Sequence, residues 1–241
     1  MTSDPRVLGV ILLEAEHSVE TLGWDDPFSW QPPPGLGEGF YGHPAAWPLP
    51  VVFAVAEGAT GKASAEGTPA AVQGVVDAIA RLDGRCDLIV GGCGYFGAAW
   101  PALPAPPGTP AVLSSLDYLD DALRSTSRDV AVLSMSGPAA TRFLADRPDA
   151  GRIRVVGLDD AKDWPLISRP DWATAPQWTL AGLEAGLRDV LAEAALPGGA
   201  LDGVGAVVLE CTVLPQFRAV VREYTRAPIV DVGTAVDALL A

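Results

Sequence analysis

Lysine is nearly missing. The 241 residues hold only Lys62 and Lys162, and 16 basic residues face 30 acidic ones for a net charge of −14. A duplex-binding surface needs clustered Lys and Arg, and here Arg is scattered, so nucleic acid is not an expected partner. Cysteine is sparse and odd in number, at Cys86, Cys93 and Cys211. That argues against a disulfide framework and for a reducing cytoplasm, where a thiol stays free for chemistry. Long hydrophobic runs are also missing. The first, Val7 to Leu13, is closed by Glu14, is too short to span a bilayer and has no small-residue cleavage site after it, so neither membrane nor export is expected. The two histidines, His17 and His43, belong to no converging ligand set, and no metal is expected. The glycines at 91, 92, 94 and 97 match neither phosphate-loop pattern and no Lys follows them, so no nucleotide cofactor is expected.

What is present is apolar. Hydrophobic residues make up 49% of the chain and charged ones 19%, enough to bury a sizeable core. The length suits one large domain or two of about 100–150 residues. Continuous Val/Leu/Ile runs predict strands at residues 7–13, 50–54, 87–91, 111–114, 130–134, 153–156, 205–210 and 228–230. Unbroken runs of this kind belong to strands buried on both faces. Between them, Val72, Val75, Val76, Ile79 and Leu82 form a helical stripe, and Leu180, Leu183, Leu187, Val190 and Leu191 form another. The alternation predicts an α/β fold, parallel sheet flanked by helices.

Element order repeats along the chain, which predicts two halves of like pattern. Residues 1–116 with 224–241 are expected to form the first, carrying Cys93, and 117–223 the second, carrying Cys211. Residues 21–50, with three Trp and seven Pro, read equally as a lid or as a passive insertion. A second irregular stretch, 159–176, is placed to act as a lid from the other half.

Ligands of a parallel sheet bind outside the carboxyl ends of its strands. There the sequence delivers Glu14, then Gly91-Gly92-Cys93-Gly94-Tyr95, Ser114-Ser115, Ser134-Met135-Ser136 and Glu210-Cys211-Thr212. Two cysteines thus stand at the tips of two strands, 118 residues apart, each before an expected helix start that would lower its thiol pKa toward neutrality. Cys86, at the start of a strand, reads as a packed residue. A pair of opposed thiols suits inversion of a carbon alpha to a carboxylate: one sulfur removes the proton and the other returns one on the opposite face. Donors for the carboxylate are expected from the backbone at Gly94 and Thr212 and from the hydroxyls of Ser114, Ser134 and Ser136. Asp117, Asp120 and Asp121 need no catalytic role, since they open an expected helix.

These stretches, CDLIVGGCGYFGAAWPAL, PAVLSSL, VAVLSMSG and VGAVVLECTVLPQF, resemble the aspartate/glutamate/hydantoin racemase superfamily in the expected order. The resemblance implies two pseudo-symmetric α/β domains with a ligand cleft between them, and cofactor-independent inversion by Cys93 and Cys211, with Thr212 holding the carboxylate. It also implies substrate hydroxyl contacts at Ser134 and Ser136, and Glu14 where many members carry Asp. The chain reads Cys93-Gly94-Tyr95 where amino-acid racemases often read Cys-Asn-Thr, and Tyr95 with Phe96 would give a more apolar wall. The expected activity is that of a racemase or epimerase of an amino acid or small carboxylic acid. Decarboxylation, cis–trans isomerisation of a dicarboxylate, and non-catalytic binding of an amino or keto acid are the alternatives. A homo-oligomer is left open.

Overall fold

The computed structural model describes residues 6–14, 38–168 and 177–241. All eight expected strands lie within them. The first sheet holds β1 (Leu8–Leu13), β2 (Val51–Ala56), β3 (Leu88–Gly91) and β4 (Ala111–Val112) in the order β2-β1-β3-β4. The second holds β5 (Val130–Ser134), β6 (Ile153–Gly157), β7 (Ala206–Leu209) and β8 (Ile229–Val230) in the order β6-β5-β7-β8. Every pairing is parallel, and the two orders are the same pattern repeated. The central strands are buried throughout, as their uninterrupted apolar runs require: Leu8, Val10, Ile11, Val130 and Leu133 have no exposed surface.

Helices cover both faces. Thr60 caps α1 (Gly61–Glu66), and Thr68 caps α2 (Pro69–Leu82), whose Pro69 sits at the position where its missing N–H costs nothing. The stripe expected in α2 buries Val75, Ile79 and Leu82 against the first sheet. In α5 (Leu180–Ala194), capped by Thr179, Leu183, Leu187 and Leu191 are fully buried, while Leu180 in the first turn stays exposed. The remaining helices are α3 (Leu119–Ser125), α4 (Gly137–Leu144), α6 (Arg218–Tyr224) and α7 (Gly233–Leu240). As the sequence suggested, the aspartates open helical turns. Asp117 completes a capping box with Ser114, and Asp120 and Asp121 lie in the first turn of α3.

Gly74 in α2 tests packing against propensity. Alanine in place of a mid-helix glycine normally gains up to about 1 kcal/mol. Here its Cβ would overlap the backbone carbonyl of Glu57. Overpacking of that kind costs about 1–3 kcal/mol and outweighs the propensity gain. Gly74→Ala is therefore expected to lower the urea midpoint of unfolding, and a raised midpoint would show that the contact yields.

Two parts of the chain join the halves. The sequence grouped the last strand and helix with the first half, but the structure divides them. β8 extends the second sheet by pairing with β7, since the short crossover through α6 returns the chain to that sheet's open edge. The following residues cross over: Val232 and Val236 pack among Leu8, Val10 and Val55. Residues 38–50, the described part of the Trp- and Pro-rich stretch, also bridge. Phe40 lies in the second half's core with its ring centroid 5.4 Å from that of Trp178, whereas Tyr41 and Trp47 pack on the first sheet. The indole N–H of Trp47 donates to the Tyr41 carbonyl at 2.9 Å. Residues 15–37, with His17, and 169–176 lie outside the described residues. Among the described residues no helix is long and apolar enough to cross a membrane.

Candidate functional site

The two sheets deliver their third strands to one place, in matching register. β3 and β7 are offset by 118 residues, and so are Cys93 and Cys211, each two residues past its strand. The tight helical turns that follow, starting at Phe96 and Leu214, keep the same offset. Before each cysteine the chain makes one last hydrogen bond to the central strand, Gly92 N–H to Ile11 O at 2.7 Å and Glu210 N–H to Leu133 O at 2.9 Å. The structural equivalent of Glu210 is therefore Gly92, and that of Thr212 is Gly94.

The loops lock across the boundary between the halves. Thr212 donates its hydroxyl to the Gly92 carbonyl at 2.7 Å. Tyr95 comes within 3.3 Å of the Ser134 hydroxyl, with its ring edge-on to Phe143 at 5.3 Å. Ser134 in turn donates to Glu210 Oε2 at 2.8 Å. Glu210 leans over Gly94 so closely that any Cβ there would overlap its carboxylate, which explains glycine at that position.

Both thiols are free, and both are mostly enclosed, with 8% of the surface of Cys93 and 9% of that of Cys211 exposed. Their electrostatics differ from the expectation that helix N-termini would lower them. Burial, followed by the charge of Glu210, pushes Cys93 up to about 12. The same two causes, with the charge of Cys93 added, push Cys211 up as well. The opposing help is local: the Tyr95 N–H and the Ser64 hydroxyl at Cys93, and the Val213 and Leu214 N–H groups at Cys211. A short turn supplies a few aligned N–H groups, too few to offset removal from water. Burial likewise raises Tyr95, again assisted by Glu210. Glu210, only 2% exposed, is itself lifted by burial to about 7 against hydrogen bonds from Ser134 and the Met135 amide.

The other expected site residues have definite places. Glu14, just past β1, accepts the Gly58 N–H at 2.6 Å. Ser114 donates its hydroxyl to the Gly94 carbonyl and accepts from Leu116 N–H, so its proton supports the Cys93 loop. Ser136 caps α4 and donates its amide to the Ser134 hydroxyl at 3.2 Å. Ser134, Tyr95, Gly94, Thr212 and both cysteines thus share one locality, and Ser114 and Ser136 shape its walls. Cys86 is packed under β1, where a Cβ on Gly9 would crowd its sulfur, and burial raises it to about 11.

Two members of the site were not anticipated. Glu210 stood in a motif quoted for its cysteine, and its inward turn depends on the Gly94 gap in the other half. Ser64 had no sequence signal at all. Its hydroxyl is buried in α1 with no nitrogen or oxygen partner, ready to donate to a thiolate at Cys93.

Comparison places this arrangement among known folds. No family model matches the chain. The structure superposes on allantoin racemase from Pseudomonas fluorescens with a TM-score of 0.50 and 17% identity, covering 93% of this chain and 84% of that one. The two thus share a fold, which in this chain is two four-stranded parallel sheets flanked by helices. In sequence the chain is similar to two curated proteins of Emiliania huxleyi, dimethylsulfoniopropionate lyase 6 at 27% identity and dimethylsulfoniopropionate lyase 3 at 26%. Both similarities run over the whole of this chain, which spans 61% of the length of each relative.

Proposed function

We propose that the chain is a cofactor-independent racemase or epimerase that inverts the carbon alpha to a carboxylate, with Cys93 and Cys211 as its two acid/base groups. The observation that supports this most is the repeat: the same strand–loop–turn unit occurs twice, 118 residues apart, with a thiol at the same position of each. Removing a proton from one face and returning one to the other needs two groups on opposite sides of one carbon, and two equivalent thiol loops that meet between the halves suit that need. Low exposure at both sulfurs keeps water away from a carbanionic intermediate. The substrate carboxylate is held by backbone N–H groups of the Gly94 and Thr212 loops, with the Ser134 and Ser136 region beside them, since among the described residues no Arg contacts these loops.

A second reading shares the first chemical step. The similarity to two dimethylsulfoniopropionate lyases over the full chain favours a thiolate that removes the alpha proton and a leaving group on the beta carbon that departs. One sulfur then does the chemistry and the other need not return a proton. Incubating candidate amino acids and beta-substituted carboxylic acids in deuterated water, followed by proton NMR and enantiomer-resolved chromatography, separates the two. Deuterium at the alpha carbon together with the opposite enantiomer supports inversion. An acrylate-type alkene with no inverted product supports elimination. Absence of both alpha-proton exchange and an alkene, across amino, hydroxy and sulfonio acids, would defeat both.

A further inference from the structure

Glu210 is a buried carboxyl that the chemistry above leaves without a task. Its side chain crosses from the second half to lie on Gly94 in the first, so it stands between the two cysteine loops. Ser134 and the Met135 amide donate to it, and among the described residues no cation is named as acting on it. A carboxylate taken from water with only neutral donors is costly to keep charged. The fold does not require it either, since the same position in the first half is Gly92.

We propose that Glu210 is the proton store of the two-thiol site: its carboxyl holds the proton that Cys93 or Cys211 gives up on becoming a thiolate, so that one negative charge is shared among the three groups. This rests on the reading that both thiols react. In the exchange an S–H bond breaks and a carboxyl O–H bond forms, and the total charge stays at −1. The charged carboxylate opposes ionisation of both sulfurs, and a neutral carboxyl lifts that opposition. Because the carboxyl changes form near pH 7, both of its states are within reach at neutral pH. The groups that face the cluster are Cys93 and Tyr95 after β3, Cys211 after β7, Ser134 and the Met135 amide at β5, and Ser64 of α1 facing Cys93. Of these only the two thiols and Tyr95 titrate, and none brings a positive charge.

Shared charge has a signature that packing lacks. Once Glu210 is ionised, making a thiolate requires putting a proton back on the carboxyl, so the thiolate population stops rising with pH. Alkylation of the full chain by iodoacetamide, read at each cysteine by peptide mass spectrometry, reports that population because the thiolate is the nucleophile. Wild type and Glu210→Gln are expected to react equally at Cys93 and Cys211 below about pH 6. Above about pH 7 wild type levels off, while Glu210→Gln keeps rising about tenfold per pH unit, to a lead of about a hundredfold at pH 9. Cys86 serves as the internal control and should behave identically in both. Ser134→Ala, which removes a donor that favours the charged carboxylate, should move the wild-type break to higher pH, and it carries the test alone if Glu210→Gln does not fold. Parallel profiles in wild type and Glu210→Gln, or a break that Ser134→Ala leaves in place, overturn the proposal. If the profiles diverge but no acid exchanges its alpha proton, the catalytic reading fails and the shared charge stands. If exchange occurs but the profiles are parallel, only the proton store fails.

Discussion

Cys93→Ser and Cys211→Ser are each expected to lower alpha-carbon inversion by about 10²–10⁴-fold, the usual contribution of one positioned acid/base group. Serine keeps the size and the backbone contacts, so the loss reports on the sulfur. The hydroxyl is a far weaker acid than a thiol, and the Tyr95 N–H or the Val213 and Leu214 N–H groups that assist the two sulfurs cannot make up that difference. Under the two-group mechanism both single variants fall, and the double variant falls little further, because residues that act as a unit are not additive. Measured by enantiomer-resolved chromatography, a Cys93→Ser protein with unchanged turnover would rule out the paired mechanism. Under elimination, only one of the two replacements should be severe.

Arg218→Met is expected to cost about 3 kcal/mol of stability, the low end of the range for stranding the buried member of an ion pair, because the Arg218 side chain is 35% exposed. Asp231, just after β8, is completely buried and takes the Arg218 guanidinium at 2.6 Å, the Tyr41 hydroxyl at 3.1 Å and the Gly233 N–H at 2.8 Å. These partners come from α6, from the bridging segment 38–50 and from the start of α7. Without Arg218 the carboxylate keeps two neutral donors, and Tyr41 alone cannot neutralise it. Urea unfolding should show the loss. Asp231→Asn together with Arg218→Met should recover part of it, since no unpaired charge then remains buried. No recovery in the double variant would place the cost in lost packing by the Arg218 stem.

The sheet was legible because burial on both faces leaves a simple mark. Each of the eight apolar runs became a strand, and the matching order of the two halves could be read from the sequence of elements. The end of the chain was less legible, since the assignment of β8 and α7 depends on which sheet edge and which face are open. The cysteines could be placed at strand tips by counting, yet their acidity could not. Periodicity says where a side chain stands along a strand and nothing about how much water reaches it, so the expected lowering by short helical turns gave way to burial and to Glu210. The inward turn of Glu210 needed the Gly94 gap, a contact between residues 116 positions apart that no local pattern encodes. Ser114 and Ser136 were read as substrate donors, and the structure shows them as caps, which is the commonest use of serine at a helix start.

Because the repeat places a glycine at 92 where it places an acid at 210, the two cysteine loops have the backbone of a repeated unit but unlike chemistry on their two sides. One sulfur answers to a hydroxyl from α1, and the other only to amides of its own turn. Under the inversion reading a substrate and its mirror image, each presenting its hydrogen to a different sulfur, would meet unlike surroundings. Then kcat and KM taken separately should respond differently to acidity in the two directions, while kcat/KM, whose ratio thermodynamics fixes at one for enantiomers at every pH, should not.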